Sequence, residues 1–89
     1  MTAIYGRRAN LRRFYNLEES EYDKLFDNQN SKCAICSKDL ERISRSTHVD
    51  HNHLTGEVRG ILCHHCNTAI GLFGDDINKL KSAIKYLEK

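Results

Sequence analysis

The 89-residue sequence predicts a small α+β domain: a β-hairpin and a following helix at the centre, helices on either side, and a metal staple. Three observations predict it. Four cysteines form two Cys-x2-Cys knuckles, Cys33 with Cys36 and Cys63 with Cys66. Apolar residues recur at helical spacing before the first knuckle and after the second. Between the knuckles, two short and partly alternating runs flank the turn-forming segment Asn52–Gly56.

Taken in order, residues 4–15 read as a short basic helix with Ile4, Leu11, Phe14 and Tyr15 as its apolar members. Residues 18–29 read as a second helix. Asn16 suits its cap, and Glu18, Glu19 and Glu21 suit the positive end of the helix dipole. Tyr22, Leu25 and Phe26 fall at i, i+3 and i+4 and predict a core-facing stripe, which Gln29-Asn30-Ser31 ends. His48–His51 and Glu57–Leu62 read as strands, with Val58 and Ile61 on opposite faces. Gly56 supplies positive φ in the loop between them. A helix is predicted from Cys63 to about Leu72, with Gly71 and Gly74 marking its end. A last helix starts at the Asp75-Asp76 cap, and its stripe of Ile77, Leu80, Ile84 and Leu87 is expected to face the core. The whole reads as a single domain, residues 1–89: a helical basic and acidic N-terminal region (1–31), a stapled core (32–74) and a closing helix (75–89).

Composition limits the function classes. Three Phe, four Tyr and no Trp make a thin core, and a domain of this size commonly needs a staple. No apolar run approaches the length of a membrane span, and the N-terminus lacks a secretory signal. A cytoplasmic location with reduced cysteines is therefore expected, and no membrane partner. The net charge is only +2, but it is unevenly spread. Residues 1–16 hold Arg7, Arg8, Arg12 and Arg13 and no acid, a segment suited to phosphates or simply a solvated helix face.

Two-residue spacing lets both thiolates of a knuckle reach one ion, and two knuckles complete a tetrahedron. Four thiolates fill the coordination of Zn²⁺, so a single structural zinc per chain on Cys33, Cys36, Cys63 and Cys66 is expected, ahead of disulfides, a redox pair or an iron–sulfur cluster. His64 and His65 then read as exposed turn residues. The interval between the knuckles, residues 37–62, has room for a hairpin.

That interval contains His48-Val49-Asp50-His51-Asn52-His53, which holds three of the five histidines. Such density on a polar strand has no packing rationale. Phosphodiester hydrolysis asks for an activated water, a cation to stabilise charge, and a held phosphate. Imidazole is a suitable base near neutral pH, and Asp is a hard oxygen ligand for Mg²⁺. Regular alternation would place Asp50 and His51 on opposite faces, so convergence needs an irregularity near Asp50. Asn67, directly after Cys66, opens the next helix and is a candidate second ligand. The competing reading is a zinc-dependent DNA-binding or protein-interaction module without turnover.

The same run, followed by Thr55-Gly56, Val58-Arg59-Gly60, Leu62-Cys63-x2-Cys66-Asn67 and Gly71, resembles the recombination endonuclease VII family of phage HNH nucleases. The likeness extends from near Tyr15 through Cys33-x2-Cys36 to Tyr86-Leu87. It implies a zinc-stapled ββα-metal (HNH) fold and a metal-dependent DNA endonuclease that leaves 5′-phosphate and 3′-hydroxyl ends. By resemblance, the four cysteines hold zinc, Asp50 and Asn67 bind catalytic Mg²⁺ or Mn²⁺, His51 is the general base, and His53 lies near the scissile phosphate. Arg59 is a candidate phosphate contact, and Arg7, Arg8, Arg12 and Arg13 are candidates for a wider DNA footprint. The expected partner is DNA, double-stranded or branched, in a bacterial or phage-infected cell, with monomer and dimer both open. The expectation stops at nicking or cutting. Junction resolution takes two coordinated cuts, and the residues up to Lys89 supply no long dimerisation segment.

Overall fold

A computed structural model describes residues 17–89. The elements run α1 (Glu19–Asn28), β1 (Thr47–His51), β2 (Val58–Cys63), α2 (His64–Leu72) and α3 (Ile77–Leu87), an α+β arrangement with ββα order at its centre. The expected basic helix at residues 4–15, its four arginines and Asn16 lie outside the described residues.

The cap of α1 is Glu18 rather than Asn16. Glu18 and Glu21 form a reciprocal capping box, with the Glu18 N–H donating to Glu21 Oε1 at 2.9 Å. Tyr22 and Phe26 lie one turn apart, stack with ring centroids 6.2 Å apart, and are buried. Arg42 ties the long loop before β1 to this helix. Its guanidinium reaches Asp23 at 3.0 Å and Asp27 at 2.6 Å and covers the Phe26 ring, while Tyr22 Oη donates to the Arg42 carbonyl.

The two strands form an antiparallel hairpin that separates two small cores. Ile61 joins Leu17, Tyr22 and Phe26 on the α1 side. Its neighbour Leu62 joins Cys33 and Cys63 on the other side, beneath Ile70 of α2. Neighbouring residues of β2 thus supply both cores.

The register steps from Asp50↔Gly60 to His51↔Val58, so Arg59 is passed over in a β-bulge. The bulge corrects one expectation. Val58 packs against the same core as Ile61, not on the opposite face, because the extra residue resets the alternation.

Gln29, read from sequence only as the end of a pattern, fastens α1 to the outer edge of β2. Its amide donates to the Ile61 carbonyl at 2.9 Å, and its Oε1 accepts the Ile61 N–H at 2.9 Å. The side chain acts as a one-residue substitute for a third strand. Gly60 leaves room for it, since a Cβ there would sit 3.2 Å from Gln29 Oε1.

The stripe of α3 is a second correction. Ile77, Ile84 and Leu87 are 67%, 56% and 79% exposed, and Leu80 is half-buried. The described residues close both cores without α3, so its amphipathic pattern meets no core there. Gly74 and Asp75 at positive φ turn the chain between α2 and α3.

Candidate functional site

Two sites flank the hairpin. At the base, Cys33 and Cys36 from the first knuckle meet Cys63, the last residue of β2, and Cys66 in the first turn of α2. All four are free thiols, and their sulfurs lie within 4.8 Å of one another. Zn–S bonds of about 2.3 Å in a tetrahedron require S···S edges of about 3.8 Å. The Cys36 Sγ···Cys63 Sγ distance is 3.8 Å. Backbone N–H groups of Ile35 and Cys66 point at Cys33 Sγ and Cys63 Sγ. Burial opposes ionisation of Cys33, but N–H groups of Cys36, Cys63 and Ile35 outweigh it and bring its thiol down to about 6. Burial and the thiols of Cys63, Cys36 and Cys33 push Cys66 up to about 12. A divalent cation held by these four sulfurs would keep them as thiolates. The geometry suits zinc, and the cluster includes neither His64 nor His65. His64 Nδ1 instead faces His48 Nε2 at 3.2 Å. Burial first, then the charge of His64, pushes the His48 pKa down.

At the far end of the hairpin lies a polar network. Asp50 is the one buried charged residue among those described, at 8% exposure. Arg59 grips its carboxylate twice, Nε to Oδ2 at 2.7 Å and Nη2 to Oδ1 at 3.0 Å. The bulge re-aims Arg59; in unbroken register it would stand opposite His51, not beside Asp50. The hydrogen bond to Asp50, and a weaker one to Asp75, push the guanidinium pKa further up, against its partial burial. Asp75 Oδ2 lies 3.2 Å from Arg59 Nη2 and 3.4 Å from His53 Nε2. The His53 ring is 4.8 Å from that of His51, centroid to centroid. Asn52 holds the loop in shape, its Oδ1 accepting the N–H groups of Leu54 and Thr55.

Asp50, His51, His53 and Arg59, all singled out from sequence, therefore belong to one connected network. Asn67 does not join it directly. It sits partly buried in the first turn of α2, which packs against both strands. Asp75 is the member that sequence reasoning missed, having been taken for part of a helix cap. Asp76 alone caps α3, accepting the Lys79 N–H at 3.1 Å. The signal was the doublet itself, since one aspartate suffices for one cap. Asp50 and Arg59 open onto a cleft of about 240 Å³ whose walls include Ala34, Ile35 and Ile70. No helix among the described residues is long and apolar enough to cross a membrane.

The gene 59 protein of Mycobacterium phage D29 is 41% identical over 76 residues, which cover 84% of this chain and 46% of that protein. The gene 59 protein of Mycobacterium phage L5 is 39% identical over 74 residues, covering 82% of this chain and 44% of that protein. The chain thus spans less than half the length of these phage relatives. Residues 8–89 match the family described as recombination endonuclease VII. By the extent of that match, the chain belongs to the recombination endonuclease VII family.

Proposed function

We propose that this chain is a metal-dependent DNA endonuclease of the HNH type, nicking or cutting double-stranded or branched DNA in a bacterial or phage-infected cell. One structural Zn²⁺ on Cys33, Cys36, Cys63 and Cys66 would clamp the start of α2 to the end of the hairpin. The observation that carries the reading is the network at the hairpin mouth: a buried carboxylate, a guanidinium and two imidazoles gathered around one bulge, in a chain of this family.

The donor set fits a hard divalent cation. Asp50 offers a carboxylate and Asn67 an amide oxygen, the ligand types that Mg²⁺ and Mn²⁺ take alongside water. When bound, such a cation stabilises negative charge on the phosphate and the leaving oxygen. His51 takes the proton from the attacking water as general base. His53 and Arg59 hold phosphate oxygens, Arg59 through guanidinium donors beyond those on Asp50. Arg7, Arg8, Arg12 and Arg13 supply basic charge for further contacts to DNA phosphates.

The test is cleavage of supercoiled plasmid with Mg²⁺ or Mn²⁺ by wild type and His51→Ala. Wild type should nick or linearise the plasmid, and His51→Ala should lose most of that activity while keeping zinc and DNA binding. Intact plasmid across metals and pH would point to a non-catalytic zinc module instead. Equal cutting by His51→Ala would remove His51 from the role of base.

A further inference from the structure

The Asp75 side chain is not the cap of the helix that follows it. Asp76 caps α3, and the reversal after α2 is carried by backbone bonds from Gly74 N to Gly71 O and from Asp75 N to Ile70 O. Asp75 nevertheless occupies the left-handed region at φ +57. Asp tolerates that region better than most residues, yet Gly adopts it freely. A side chain kept at such a position points to a use for the side chain. The Asp75 carboxylate turns back to the hairpin, is 19% exposed, and contacts both Arg59 and His53.

Arg59 therefore sits between two carboxylates from distant parts of the chain. It engages both oxygens of Asp50, and a cation on Asp50 needs at least one of them. Arg59 is only partly exposed, so a second carboxylate beside it lowers the cost of its letting go of Asp50.

We propose that Asp75 is a positioning residue of the nuclease centre: it holds Arg59 and His53 at the hairpin mouth and offers Arg59 a second carboxylate, so that Asp50 can release it to a divalent cation. The proposal rests on the nuclease reading above. Removing Asp75 leaves Arg59 to Asp50 alone and takes away a nearby negative charge. Both effects weaken cation binding.

Asp75→Gly tests this, because glycine suits the local backbone while the carboxylate disappears. Tm should hold or rise, and zinc content should stay at about one per chain. The Mn²⁺ binding that Asp50→Asn abolishes should weaken about 10- to 100-fold in calorimetry, the range for a group that orients a metal ligand. Plasmid cleavage at fixed Mn²⁺ should fall with it, in kcat more than in KM for DNA. Asp76→Ala is the control: Tm falls, while Mn²⁺ affinity and cleavage below Tm stay as in wild type. Asp75→Gly that binds Mn²⁺ and cuts like wild type overturns the proposal. Wild type that cuts no DNA overturns the nuclease reading, and the Mn²⁺ comparison still decides whether Asp75 governs the Asp50 site.

Discussion

The Arg59 guanidinium spans both oxygens of the Asp50 carboxylate, at 2.7 Å and 3.0 Å, and it does so from the unpaired position of a β-bulge. The pair neutralises a carboxylate that is almost wholly buried. Breaking a fully buried pair costs about 3–5 kcal/mol. Arg59 is 38% exposed at its side chain, so Arg59→Ala should cost less, on the order of 1–3 kcal/mol. Mg²⁺ should then restore part of the lost Tm, and should stabilise Arg59→Ala more than wild type. Thermal unfolding with and without Mg²⁺ measures both. Equal stabilisation of the two proteins would mean that Arg59 and the cation do not compete for Asp50.

The Gln29 clamp makes a second prediction. Gln29→Ala leaves the Ile61 N–H and the Gln29-bound face of its carbonyl without their amide partner, a loss of about 1–3 kcal/mol in urea unfolding. Gly60→Ala should also destabilise, by pressing on Gln29 Oε1. In the Gln29→Ala background most of that second cost should vanish. Additive effects in the double mutant would show that the clamp is not what excludes a side chain at position 60.

The two apolar stripes should respond very differently. Phe26 is 2% exposed in the larger core, and Phe26→Ala should cost about 3–5 kcal/mol or prevent folding. Ile84→Ser on α3 should change stability by less than about 0.5 kcal/mol. A large loss for Ile84→Ser would show that something buries the α3 face in solution.

His48 carries a pH dependence. Its folded pKa is lowered, by burial first and then by His64, so the unfolded chain binds its proton more readily. Stability should therefore rise with pH through the interval from the lowered folded value up to the ordinary histidine value. Below both values the penalty is complete, and above both it is absent. Urea unfolding across this interval should show a shallower slope for His48→Gln than for wild type. Acid loss of metal from the thiolates affects both proteins alike, so the difference between them reports His48.

Removing zinc should unfold the domain. The four sulfurs join the first knuckle, the end of β2 and the start of α2, and half of the second core consists of their side chains. Elemental analysis should find about one zinc per chain, and a strong chelator should abolish cooperative unfolding seen by circular dichroism. Native protein without zinc would refute the assignment.

What the sequence determined by itself were features written in short-range spacing. Each Cys-x2-Cys turn brings two sulfurs together locally, the 3.6-residue rhythm of Tyr22 and Phe26 marks a buried helical face, and Gly56 between two alternating runs marks a hairpin. Among the described residues, strand and helix limits fall within one or two residues of those read from sequence, as local propensity and capping allow. The density of histidine around Asp50 likewise marked the hairpin mouth without any contact being known. Tertiary structure decided the rest. A bulge is a choice between two registers of nearly equal local cost, settled by what both strands pack against, so neither the re-aimed Arg59 nor the shift of Val58 to the Ile61 side was legible. Gln29 and Asp75 become informative only when chain segments far apart in sequence meet at Ile61 and Arg59. The α3 stripe shows the converse: amphipathic spacing states that a face is apolar, and only the packed molecule states whether anything covers it.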